Sequence, residues 1–190
     1  MVTRHRIIIV LAITGIALFI LIQGYIIPGN QAKEEQYQRE QQSPITHDLG
    51  SILKYKNKYM GNASNLMNLF QHLPLQSISK TFELDSDKLT LKVMYSEPAS
   101  SVQEIELKRA LLYNSLAAFA LVDNLEAIEF HFADGTYTST RAATKEAFGE
   151  RLSDLLTEEK WKAIQEQLKN DSYVTRQAQI VIPALLQTSQ

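Results

Sequence analysis

Residues 105–141 read IELKRALLYNSLAAFALVDNLEAIEFHFADGTYTSTR, and the fold turns on them. From Ala110 to Val122 only Asn114 and Ser115 interrupt the apolar residues, which are rich in the helix formers Ala and Leu and fall on nearly every helical face. Such a helix must be covered on all sides. Glu104, Glu106, Lys108 and Arg109 mark its first turns as wet, which leaves the apolar part too short to cross a bilayer. Asp123-Asn124 supplies a stop, because Asn tolerates the left-handed conformation that often ends a helix. The period then changes to two: Ile128, Phe130 and Phe132 alternate with Glu129 and His131, as in a half-buried strand. Asp134-Gly135 is a favoured hairpin pair, and residues 136–141 return as the partner strand. A buried helix beside a sheet with one apolar face is a two-layer arrangement.

Working outward, the composition is that of a folded chain: 190 residues, 45% apolar and 21% charged. A formal charge of -2 argues against a general nucleic-acid binder, and no basic patch stands out. With no cysteine there is no disulfide, no thiol catalysis and no lipid attachment through a lipobox. Residues 7–27, IIIVLAITGIALFILIQGYII, carry no charge, and their helical length is close to a hydrocarbon core of roughly 30 Å. They are expected to span a membrane. Arg4, His5 and Arg6 precede them, so the positive-inside rule leaves the N-terminus cytoplasmic and the rest of the chain extracytoplasmic. A cleaved signal peptide fits less well, since the apolar run is long and residues 24–31 lack a small-x-small cleavage site.

Residues 31–42, QAKEEQYQREQQ, have too few apolar members to bury a core and read as a polar stalk, helical until Ser43-Pro44. Asn62 is placed to cap a helix whose stripe is Leu66, Leu69, Phe70 and Leu73. Two strands follow. Ile78, Phe82 and Leu84 share one parity, broken by Lys80, and Leu89, Leu91, Val93 and Tyr95 share another, with a polar turn at residues 85–88 making them a hairpin. Ser101 is in capping-box spacing with Glu104. Residues 142–156 look helical with a break near Gly149, and Thr157 caps a helix that buries Trp161, Ile164 and Leu168. Ile180-Val181-Ile182 before Pro183 reads as an edge strand or a loose tail.

No chemistry of a recognised kind emerges. His5, His47, His72 and His131 are scattered, with no HExxH arrangement, and the isolated glycines form neither a phosphate loop nor a dinucleotide fingerprint. No serine sits in a GxSxG elbow. Asp123, Glu126, Glu129 and Asp134 are where a carboxylate pair for acid/base work would be sought. The structural interpretation of the same residues is a helix stop, a wet strand face and a turn. As binding candidates the stretch offers Asp123, Asn124, Glu129, His131 and Arg141. Tyr55, Tyr59, Tyr113, Tyr137 and Tyr173 are residue types that often enter interfaces, but each also sits where a core or strand residue is expected.

Three segments carry a resemblance: Tyr59-Met60-Gly61-Asn62-Ala63-Ser64-Asn65 with Leu73-Pro74-Leu75, then residues 113–124, YNSLAAFALVDN, and later Phe148-Gly149. Together they resemble the bacterial domain-of-unknown-function family 4825, over roughly residues 49–168. The resemblance implies an anchored or lipid-attached protein of a Gram-positive cell envelope, in some members behind an antibiotic-sensor-type peptidase module. That module's zinc motif is absent here, and the family supplies no catalytic residue to carry over. A looser similarity of layout links the chain to spore-germination GerMN-type domains.

The expected protein is therefore single-pass, of α+β class: a transmembrane helix, then a two-layer domain of antiparallel hairpins packed against helices. Its segments are a cytoplasmic end and anchor over residues 1–28, a stalk over 29–47, an extracytoplasmic domain over 48–170 and a tail over 171–190. The expected role is a non-catalytic binding or sensing module of the cell envelope, without cofactor or metal, partnered by the membrane and an envelope protein and not by nucleic acid. A carboxylate hydrolase and a structural component of an envelope assembly are the alternatives.

Overall fold

The computed structural model describes residues 2–23 and 27–183. The far end of the expected membrane-spanning run, at residues 24–26, and the last part of the expected tail, at 184–190, lie outside the described residues. The chain divides into two units, Met1–Arg39 and Glu40–Gln190.

The first unit holds helix α1 (Val2–Leu21) and most of helix α2 (Ile27–Gln42). On α1 the side chains of Ile7, Leu11, Ile13, Ile16, Leu18, Phe19, Ile20 and Leu21 are all exposed. Among the described residues no helix is long and apolar enough to cross a membrane. Helix α2 is polar, and Arg39 and Glu35 pair across one turn. It ends at Gln42, where Ser43-Pro44 cannot continue it.

The second unit is an α+β domain. Its helices are α3 (Leu49–Leu53), α4 (Ala63–His72), α5 (Glu104–Leu121), α6 (Arg141–Phe148), α7 (Glu158–Gln167) and α8 (Asp171–Val181). Its strands are β1 (Lys80–Asp85), β2 (Thr90–Tyr95), β3 (Ala127–Phe132) and β4 (Gly135–Thr140). Both expected hairpins form, and they join into one mixed sheet in the order β1-β2-β3-β4. The β2–β3 pair is parallel, because the chain crosses over through α5 before returning.

Register places two kinds of row on the two faces. Phe82, Val93, Phe130 and Tyr137 form one row of the inner face, and Phe70 of α4 sits on it with its ring 6.2 Å from Phe82 and 6.5 Å from Phe130. Glu83, Lys92, Glu129 and Thr138 form a row of the outer face, beside Thr81, Met94, His131 and Thr136. Lys80 has the inner parity yet is charged. It resolves the conflict by donating to the carbonyls of Leu75 (2.8 Å) and Ile78 (3.1 Å), and burial pulls its ammonium down to about 8.

Helix α5 is buried from Leu107 to Leu121, as an all-round apolar pattern requires. The expectation of wet first turns is corrected, since Lys108 and Arg109 are buried as well. Lys108 pairs with Glu104 and Arg109 with Glu106, and Arg109 also bonds the Leu168 carbonyl at 2.8 Å and Asp171 at 2.6 Å. A buried cation is tolerated when each donor finds an acceptor. For Arg109 the reason lies in α8, which packs along α5 and supplies Asp171.

That helix is a second correction. Residues 180–182 are neither an edge strand nor a loose tail: Val174, Ala178 and Val181 are spaced to form one buried helical stripe, and Asn170 caps the helix through the Tyr173 amide at 3.0 Å. Ser101 does not cap α5. Its hydroxyl donates to the Pro98 carbonyl within a short turn, and α5 begins at Glu104. The caps at Asn62 and Thr157 and the break at Gly149, which has φ 109°, are as the sequence indicates.

Candidate functional site

The expected site residues are distributed along the whole of β3 and are not gathered into one pocket. Glu129 and His131 lie on the outer face, Oε2 to Nε2 at 2.9 Å, with the Thr136 hydroxyl 3.0 Å from His131 Nδ1. At the hairpin tip, both carboxylate oxygens of Asp134 accept backbone amides, Ala99 at 2.6 Å and Ser100 at 3.0 Å, which hold its carboxyl below the usual range. At the opposite end of β3 the Asp123 amide donates to the Asn57 carbonyl, and the Asn124 side chain accepts the Met60 amide at 2.6 Å. With a rise of about 3.3 Å per residue along the strand, Asp134 and Asp123 stand roughly 20 Å or more apart, too far to act as a pair.

Arg141 has a structural position. Its guanidinium donates to the carbonyls of Leu125 (2.7 Å), Phe119 (2.9 Å) and Val122, with its carbon 5.4 Å from the Phe119 ring centre. These are the last carbonyls of α5 and the turn after it, where a cation also meets the negative end of the helix dipole. Glu126 lies 3.6 Å away.

The arrangement that sequence reading missed lies elsewhere, at the connector between α2 and α3. His47 is 2% exposed, and its Nε2 lies 2.7 Å from the His72 carbonyl, so that nitrogen carries the proton. Its Nδ1 then accepts from the Tyr113 hydroxyl at 2.9 Å, and that oxygen accepts the Trp161 indole N–H at 2.9 Å. The result is a buried chain in which every group is satisfied: indole to hydroxyl, hydroxyl to imidazole, imidazole to backbone. Burial pushes the imidazole below its ordinary value of 6.5, against the raising effects of the His72 carbonyl and Asp48.

Gln165, on the same face of α7 as Trp161, clamps the connector. Its amide donates to the carbonyls of Pro44 (2.9 Å) and His47 (2.8 Å). Gln41 clamps it from the other side, accepting the Asp48 amide at 3.2 Å. Above this chain lies a cleft of about 490 Å³ between the connector and α7. Thr46, His47 and Asp48 form one wall; Trp161, Lys162 and Gln165 form the other. Lys162 pairs with Glu158 at 3.0 Å, and Lys169 with Glu166 at 2.6 Å, along its rim. Two signals in the sequence pointed here: a histidine at the junction of stalk and domain, and the chain's one tryptophan. Neither has a motif. Among the described residues no cluster of His, Asp and Glu has the form of a metal site.

The class the fold defines is an α+β domain built on two hairpins joined in parallel through a buried helix. Residues 52–143 match the model of a family described as a domain of unknown function (DUF4825), and the chain carries a domain of that family. The match runs from α3 through the sheet into α6, so α7 and α8 lie beyond it. No curated protein and no solved structure matches the chain.

Proposed function

We propose that this chain is a membrane-anchored, extracytoplasmic binding module that senses occupancy of the connector cleft. The observation that carries the reading is the shared wall: a molecule held there touches α7 and the connector together. The connector is the covalent path from the domain to α2, and the side chains of Gln165, Gln41 and His47 tie it to its surroundings. Ligand contacts that differ between two connector arrangements are what a sensor needs. The proposed anchor rests on residues 7–27 and on α1, whose exposed apolar side chains cover every face, a surface that water disfavours and lipid accepts.

Because the chain has no cysteine, single cysteines report its topology. With Ser153→Cys, an exposed position, a membrane-impermeant maleimide is expected to label intact cells. With Thr3→Cys, labelling is expected only after permeabilisation. The reverse pattern would refute the orientation, and recovery of the chain in the soluble fraction would refute the anchor.

A further inference from the structure

The connector cleft leaves unexplained a second feature, at residues 53–59, LKYKNKY. The low net charge of the chain conceals it: three lysines, Lys54, Lys56 and Lys58, lie in five residues, all exposed and, among the described residues, none in an ion pair. Residues between them point inward. Tyr55 is half-buried with its hydroxyl against the His72 ring, and Asn57 is fixed on both sides, its amide donating to the Leu121 carbonyl at 2.8 Å and its carbonyl accepting from Asp123 at 3.1 Å. Asn57 also accepts the Tyr59 amide at 3.0 Å through its side chain, and Asn65 holds the Tyr55 carbonyl at 2.7 Å. The lysines therefore stand on a pinned backbone. Lys54 and Lys58 lie over the rings of Tyr55 and Tyr59, at 5.1 and 5.2 Å, which orients the ammonium groups without neutralising them.

Leu53 is 40% exposed and Tyr59 58%, and they are the exposed large apolar side chains that the domain shows among the described residues. Both flank the lysines. Exposed leucine and tyrosine beside unpaired lysines is the combination that suits a bilayer interface, where the rings enter the headgroup layer and the ammonium groups meet lipid phosphates. We propose that residues 53–59 are a docking platform for the surface of an anionic lipid bilayer. This rests on the anchored reading above, since a tether turns the encounter into an intramolecular one and lets a small patch suffice. Such docking would set the domain's orientation at the membrane through α3, which leads directly from the connector.

The test uses the full chain with Gly61→Cys, a position next to the platform where a side chain meets nothing, labelled with an environment-sensitive fluorophore. It is reconstituted into vesicles of phosphatidylcholine alone or with about a third phosphatidylglycerol. In anionic vesicles the emission is expected to shift to the blue, and iodide quenching to fall on the order of threefold. Both changes are expected to vanish in high salt and in the triple variant Lys54→Gln, Lys56→Gln, Lys58→Gln, while glycerol phosphate in solution does not reproduce them. The triple substitution removes exposed, unpaired groups, so the domain stays folded. A chain that floats with both vesicles and shows no shift overturns the platform and leaves the anchor standing. A shift produced equally by phosphatidylcholine, or by glycerol phosphate alone, also overturns it. A chain that floats with neither overturns the anchor and the platform together.

Discussion

Arg141→Met is expected to lower the unfolding free energy by about 3 kcal/mol at neutral pH, since it leaves several carbonyls at the end of α5 without a donor. The three carbonyls belong to Phe119, Val122 and Leu125, and the Arg141 side chain is only 12% exposed, so water does not readily replace it. Methionine keeps the hydrophobic stem, which separates the loss of hydrogen bonds from the loss of packing. Arg141→Lys is expected to recover less than half of the effect, because an ammonium cannot span three acceptors as a planar guanidinium does. Urea unfolding followed by circular dichroism reads the difference. A loss below about 1 kcal/mol would show that the carbonyls find other partners and that Arg141 is free for another role.

The second large effect is expected at the buried chain. Tyr113→Phe removes one hydroxyl but strands two groups, the Trp161 indole N–H and His47 Nδ1, at a cost of about 3 kcal/mol. The same chain makes stability pH-dependent. The imidazole is held below 6.5 when folded, so the unfolded chain binds more protons in the interval beneath that value. Its contribution to stability is fully present above about pH 6.5 and is lost as pH falls from there through the folded value. The urea midpoint of the wild type is expected to drop between pH 7.5 and pH 5, a range above most carboxylate titrations, and His47→Gln is expected to flatten that drop. An unchanged slope in His47→Gln would remove His47 as its source.

Much of the domain was legible because its signals are local. The all-round apolar pattern of α5, the alternation at Ile128, Phe130 and Phe132 and the Asp134-Gly135 turn each specify their element without help from distant residues. The parallel join of the hairpins was not legible, since it depends on where α5 returns the chain. Residues 180–182 misled because a run of β-branched residues carries a strand signal, whereas Val174, Ala178 and Val181 carry a helical one that needs α5 as partner. Arg109 misled for the same reason, since its distant acceptors are the Leu168 carbonyl and Asp171 of α8, whereas Lys108 is buried with its own helix's Glu104 as partner.

The site residues divide along the same line. Asp123, Asn124, Asp134 and Arg141 were visible as polar residues at element ends, and their backbone partners explain that placement. His47, Tyr113, Trp161 and Gln165 do not show as a set in the sequence, because the longest link among them spans 118 residues. None of them belongs to a motif, and only the fold brings them together.

A photoreactive residue in place of Lys162, on the cleft wall, tests the binding module most directly when compared with one in place of Glu146, on α6 and outside the cleft lining. Irradiation of intact cells, followed by intact-mass analysis of the purified chain, is predicted to give a discrete adduct at the cleft position and none at the other. No adduct at the cleft, or the same adduct at both positions, would contradict a ligand held between α7 and the connector.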